Sequence, residues 1–170
     1  MEKYLARLKE IDREIVLMEH IQGLLGWDQE TGMPYKAMAE RAEQISLIEG
    51  LIHERVTAPE VGDLLAALGV STAIPTGAET LSKQDRAFLR EIYRRYSRDI
   101  QLERKLVEEL SKQTAIGSSL WGDAGKAADF SLLAPTLNEI IKLLRQKAFC
   151  LGFSDHPYTP LLDDYEPWMT

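Results

Sequence analysis

The apolar residues at the start of the chain recur at alternating steps of four and three. Tyr4, Leu8, Ile11, Ile15 and Met18 keep this spacing, and Leu25 falls seven residues after Met18. Such a period lines one face of an α-helix with a coiled-coil-like seam; a strand cannot present it, because its side chains change face at every residue. No stretch shows sustained period-two alternation with β-branched enrichment, so no sheet is expected. The pattern points to an all-α fold of long antiparallel helices packed as a hairpin or bundle. Gln22 stands in the seam between Met18 and Leu25, a polar group suited to setting register or meeting a polar partner, while His20 lies off the seam and reads as a surface or boundary residue and not a ligand.

The first helix is expected to stop within Leu24-Leu25-Gly26-Trp27-Asp28-Gln29-Glu30-Thr31-Gly32-Met33-Pro34. Gly26, Gly32 and Pro34 punctuate helices, while Trp27 and Met33 are large apolar groups that a solvated loop does not normally carry. The stretch therefore reads as a packed corner, a hinge for helices or one wall of a cleft.

A second helix follows from about Lys36 to Val56, with Met38, Ala42, Ile45, Ile48, Ile52 and Val56 at helical spacing. Thr57-Ala58-Pro59-Glu60 stops it and starts a short third helix, since proline is tolerated in a first turn and an acid there favours the helix dipole. Residues 69–81 form the one long loop. Ser82 with Asp85 resembles a capping box for a fourth helix carrying Phe88, Ile92, Tyr96 and Ile100. No Gly or Pro decides whether its continuation toward Trp121 is one helix or two. Gly117, Gly122 and Gly125 are expected to loosen the stretch before Asp129-Phe130-Ser131. A last helix carries Leu133, Leu137, Ile140, Ile141, Leu144 and Ala148 and stops at Gly152. Residues 153–170, rich in proline and aromatics, read as an extended tail.

Chemistry has few footholds. His53-Glu54 begins like the zinc motif H-E-x-x-H, but Thr57 stands where the second imidazole belongs. With His20 and His156 remote in sequence, a complete internal zinc site is not expected, and His53 reads as a boundary residue near a helix end. Asp163, Asp164 and Glu166 form an acidic cluster of a kind common on solvated turns and also able to do acid–base work. Phosphate-binding and nucleophile-elbow motifs are absent from the sequence. Cys150, the single cysteine, rules out a disulfide within the chain and reads as a small buried hydrophobe. The 20 Lys and Arg against 27 Asp and Glu give a formal charge of −7, and the basic run Arg86 to Arg104 is interleaved with acids. That excludes the clustered cations a nucleic-acid partner requires. The chain also lacks a run apolar enough to span a bilayer and an apolar signal-peptide core, so a cytoplasmic protein with no membrane partner is expected.

Three ordered stretches resemble the N-terminal part of the carboxypeptidase Taq family of metal-dependent carboxypeptidases. The first is Trp27-Asp28-Gln29-Glu30-Thr31 with Met33-Pro34, continued by Arg41-Ala42-Glu43-Gln44 and by His53-Glu54 with Thr57. The second is Trp121 with Asp129-Phe130-Ser131 and Ala134-Pro135. The third is Leu161-Leu162-Asp163-Asp164-Tyr165-Glu166-Pro167 ending in Met169-Thr170. The resemblance implies a single helical domain over 1–170, related to an all-helical, usually homodimeric peptidase that uses zinc or another divalent ion to release C-terminal residues from peptides. The family's H-E-x-x-H helix, its further glutamate ligand and its carboxylate-gripping residues lie beyond the corresponding point, so no catalytic, cofactor-binding or metal residue is assigned here and 153–170 leads toward that catalytic part. Trp27, Asp28, Glu30, Met33, Pro34, Asp164, Tyr165 and Glu166 are candidates for shaping a groove. Trp168 stands where the family usually has glycine, and Gly125 where it usually has a basic residue. The expected roles are an inactive N-terminal segment, a self-associating helical module that forms a homo-oligomer through exposed apolar helix faces, or one half of an enzyme completed by a separate catalytic chain.

Overall fold

The computed structural model describes residues 1–71 and 81–167. Among them the helices are α1 (Glu2–Thr31), α2 (Met38–Val56), α3 (Pro59–Ala67), α4 (Lys83–Asp99), α5 (Arg104–Ala127), α6 (Ala134–Leu151) and the one-turn α7 (Thr159–Leu162), with 3-10 turns at Tyr35–Ala37 and Phe130–Leu132. No strand occurs among the described residues, as the helical periodicity requires. Most of the loop expected at 69–81 lies outside the described residues, as do Trp168, Met169 and Thr170.

The backbone divides into two compact units, Met1–His20 with Leu51–Gln101 and Ile21–Gly50 with Leu102–Thr170. The chain of α1 passes from the first into the second, and that of α2 passes back.

In the first unit the seam residues Leu8, Ile11 and Ile15 are buried, with Leu5 beside them. Ile52, Val56, Val61, Leu65 and Leu89 complete a branched-aliphatic core, Leu89 being fully inaccessible. Each such side chain contributes about 1.5–3 kcal/mol on leaving water. Ion pairs tie the polar faces together: Arg7 grips Glu60 through two nitrogens at 2.7 and 3.2 Å, and Arg55 reaches Glu14 at 2.7 Å and Glu60 at 3.3 Å. Arg95 reaches Glu19 at 2.7 Å and Asp99 at 3.6 Å. The basic run is thus an ion-paired face, where each exposed pair is worth at most about 1 kcal/mol.

In the second unit the α1 and α2 segments form an antiparallel hairpin held by polar groups. The seam residue Gln22 donates to Glu49 at 2.6 Å, and Arg41 donates to Asp28 at 2.6 Å. Ser46 donates to the Glu108 carbonyl at 2.9 Å, and Lys112 pairs with Glu43. Buried here are Ala42, Ala115, Ala124 and Ala148 with a small cluster of Leu102, Leu106 and Leu143. Cys150 packs half-buried against that cluster, as a small hydrophobe should.

Several helix ends follow from local chemistry. Ser82 Oγ accepts the Asp85 N–H at 3.0 Å, the expected cap of α4. Gly69, at φ 74°, lets Val70 N–H reach the Leu65 carbonyl at 2.9 Å and its own N–H reach Ala66 at 3.0 Å, a Schellman closure of α3. The same closure ends α5, with Asp129 N–H on the Ala124 carbonyl at 3.0 Å and Ala128 at φ 51°. A methyl group there costs roughly 1 kcal/mol that glycine avoids.

Three sequence expectations are corrected and one open question is decided. Helix α1 stops inside the expected stretch, at Thr31, but runs through Gly26, because a helical glycine costs only about 1 kcal/mol and tertiary contacts override it. Gly117, Gly122 and Gly125 likewise lie inside α5. The path toward Trp121 is two helices. Here Asp99 ends α4, Ile100 and Gln101 N–H groups fold back onto Tyr96 and Arg98 carbonyls, and Glu103 is extended at ψ 137° before α5. The tail is not extended: α7 and a set of turns fill 159–167, and Lys147 holds Asp164 at 2.7 Å.

Candidate functional site

The most chemically mixed concavity among the described residues lies in the second unit, at the end of α1. Its volume is about 300 Å³, and Glu30, Met33, Tyr35, Ser118, Asp123 and Lys126 are among its walls. Thr31 Oγ1 donates to the Trp27 carbonyl at 2.7 Å, and the Gly32 and Met33 N–H groups both close onto the Asp28 carbonyl at 2.9 and 2.8 Å. Arg41 locks this end from α2, donating to the Leu25 carbonyl and to Asp28 Oδ2, each at 2.6 Å. A guanidinium near a helix C-terminus is also favoured by the helix dipole. Pro34 starts the 3-10 turn that follows, its carbonyl accepting the Ala37 N–H at 2.8 Å.

The facing wall comes from α5. Gln29 donates to the Ala115 carbonyl at 2.8 Å and to Ser119 at 3.2 Å, and Ser118 donates to Glu30 at 2.7 Å. Two carboxylates, one ammonium, hydroxyls and two thioethers therefore border one opening. Such a set can orient a polar or zwitterionic chain by hydrogen bonds and charge. It holds no imidazole or thiolate.

The expected groove residues separate into two places. Glu30 and Met33 line the cleft, and Asp28 and Pro34 shape the corner behind it. Trp27 is 68% exposed, so the packed role expected for it is corrected: the corner is held by Arg41 and by backbone hydrogen bonds, and most of the indole faces solvent. Asp164, Tyr165 and Glu166 do not line the cleft. They sit in turns after α7, Asp164 on Lys147 and Tyr165 almost wholly exposed. Ser118, Ser119, Asp123 and Lys126 were missed by sequence reasoning. Their signal is the repeat of polar residues along one side of α5, Ser119, Asp123 and Lys126 at steps of four and three with Ser118 adjacent, where Gly122 leaves room.

His53 is not a boundary residue either. It is 7% exposed, and its Nε2 lies 3.0 Å from the Asp99 carbonyl. A carbonyl only accepts, so Nε2 carries the proton and the ring caps the last turn of α4 from α2. Its Nδ1 is buried without a partner. His20 is exposed on α1, and His156 Nδ1 accepts the Tyr158 N–H at 3.1 Å. Among the described residues no three His, Cys, Asp or Glu side chains gather closely enough to hold a metal ion. The donors present do not fit a catalytic zinc, which needs three converging protein ligands and an open position.

Several carboxylates are perturbed by plain local causes. Arg7 holds Glu60 below its ordinary range, with Arg55 helping, and Lys9 with Ser82 does the same for Asp85. The Ser131 hydroxyl and N–H lower Asp129 at the start of its 3-10 turn. Burial raises Asp12 against the pull of Arg95. These are structural shifts, outside the cleft.

The family profile of the carboxypeptidase Taq (M32) metallopeptidases matches residues 7–170. The chain belongs to this family. Thermostable carboxypeptidase 1 of Pyrococcus furiosus is 32% identical over 158 residues, covering 91% of this chain and 30% of that protein. The solved Trypanosoma cruzi metallocarboxypeptidase 1 superposes with a TM-score of 0.73 at 30% identity, over 100% of this chain and 33% of that one. The crystal structure of BsuCP gives a TM-score of 0.90 over 99% of this chain and 33% of that one; at 23% identity it speaks for the carboxypeptidase Taq fold alone. The chain thus spans about a third of the relatives it matches, as an N-terminal segment of the family fold.

Proposed function

We propose that this chain is the N-terminal helical part of a metal-dependent carboxypeptidase whose reaction is hydrolytic release of C-terminal residues from peptides. The family match over 7–170, ending at a third of the relatives' length, carries this reading. In it the chain supplies shape: Glu30 and Met33 border the groove, Asp28 and Pro34 shape its corner with Trp27 exposed beside it, and Asp164, Tyr165 and Glu166 lead toward the catalytic part. Zinc or another divalent ion would be held by residues outside this set, where it polarises the scissile carbonyl and activates water. A separate catalytic chain is one way those residues could be supplied. The chain alone is inactive in this reading. Incubation of the purified chain with zinc or cobalt and a blocked dipeptide should release no C-terminal residue; metal-dependent release would sink the proposal.

A second reading, a self-associating helical module forming a homo-oligomer, is favoured by the large apolar side chains exposed in the second unit, among them Leu24, Trp121 and Phe149. Sedimentation at rising concentration separates the two, since a strictly monomeric chain argues against association. A cytoplasmic setting accords with the single cysteine and with the finding that no helix among the described residues is long and apolar enough to cross a membrane.

A further inference from the structure

Trp27 and Trp121 are 68% and 72% exposed, yet both stand within helices of the second unit. Trp27 precedes Glu30 by one turn of α1, and Trp121 follows Ser118 by one turn of α5. The Glu30–Ser118 hydrogen bond joins the two helices between them. Residues three apart share a helix face, so both indoles stand on the side of the molecule where that bond lies, one turn to either side of it. Leu24, 67% exposed, stands one turn before Trp27 on α1.

A tryptophan offers 150–250 Å² of surface, roughly, so this face approaches the largest apolar patches that soluble monomers tolerate. It is not a failure of packing nearby: Arg41 and Gln29 meet their partners at 2.6 and 2.8 Å directly beside it. The side chains that would ordinarily fill a core point outward, while Ala42, Ala115 and Ala124 are buried.

We propose that the Trp27–Trp121 face is the seat of the remaining two thirds of a carboxypeptidase Taq fold, with the two indoles as its anchoring contacts; this rests on the reading given under Proposed function. The occupant follows from length. The matches cover 91% and 100% of this chain but only 30% and 33% of those relatives, so the larger part of the fold is what such a face has to meet. Exposed tryptophans in an apolar patch are the usual energetic centres of interfaces.

The test compares two settings. The full chain is fused at its C-terminus to the portion of the Pyrococcus furiosus enzyme that lies beyond the matched stretch, and the pair Trp27→Ser and Trp121→Ser is introduced into the fusion and into the chain alone. The fusion should lose about 5 °C or more of Tm and the chain alone about 1 °C or less. Equal Tm for the two fusions, an equal loss in both settings, or a fusion that does not fold with both tryptophans in place would overturn the proposal. So would sedimentation showing a dimer of the chain alone that the double substitution dissolves, since the occupant would then be a second copy. Metal-dependent peptide hydrolysis by the unfused chain would instead sink the inactive-segment reading and leave the Tm contrast standing.

Discussion

Where the first unit buries leucine, isoleucine and valine, the second buries mostly alanine and leaves Trp27 and Trp121 in solvent. Both are helical and both are cross-linked by polar side chains, so secondary structure does not separate them. What differs is the destination of the bulky apolar groups. The first unit turns most of its branched aliphatic groups inward around one core, leaving Leu17 and Ile100 about half exposed. The second brings helices near through small residues, holds them with hydrogen bonds such as Gln22–Glu49 and Ser46–Glu108, and presents its large side chains outward. Self-sufficiency and readiness to dock are thus divided between two parts of one short chain.

The sharpest way to break that contrast is to cut cavities in each unit. Leu89→Ala, at a fully buried site of the first unit, should cost about 3 kcal/mol in urea denaturation of the chain. Leu143→Ala, in the shallower cluster of the second, should cost about 2 kcal/mol; equal or reversed costs would mean that the second unit is packed as deeply as the first. A smaller effect of opposite sign is expected from Ala128→Gly, which relieves the left-handed residue ending α5 and should add about 1 kcal/mol. A loss of stability there would mean that the alanine methyl packs usefully.

The smallest effect concerns charge in the first unit. Burial raises the Asp12 carboxyl above its ordinary range, so the folded state holds that proton more tightly than the unfolded one. Stability then falls as pH rises from the ordinary aspartate range through the raised value, and stays lower above it. Asp12→Asn should be the more stable form near neutrality, and its advantage should vanish on acidification to pH ~3. A parent chain equally stable at neutral pH would show that Arg95 fully offsets the burial.

The helical class, the polar seam position Gln22 and the Ser82 cap were legible because each rests on local spacing. The division between α4 and α5 was not. No Gly or Pro marks it, and what accompanies it is tertiary: His53 Nε2 donates to the Asp99 carbonyl at the end of α4, and Leu102 is buried just beyond. Gly117, Gly122 and Gly125 misled for the opposite reason, being local breakers overruled by the packing of α5. In the cleft, Glu30 and Met33 could be named from their stretch, but Ser118 joins Glu30 from 88 residues away, a pairing that no window along the sequence contains. Trp27 shows a further limit. Bulk and apolarity signal burial without saying whether the burying surface belongs to the same chain.

The stem of Glu108 lies against Gly50, so that a Cβ placed at position 50 would stand 2.1 Å from its Oε1 and 2.8 Å from both Cγ and Cδ. The carboxylate also meets Arg104 at 2.7 Å, and any side chain at 50 must first push it off that partner. The two positions therefore have a preferred order of change. Shortening Glu108 to alanine opens the space in which Gly50→Ala becomes harmless, whereas the reverse order passes through a clash, and this corner of the sequence can drift by one route more readily than by the other.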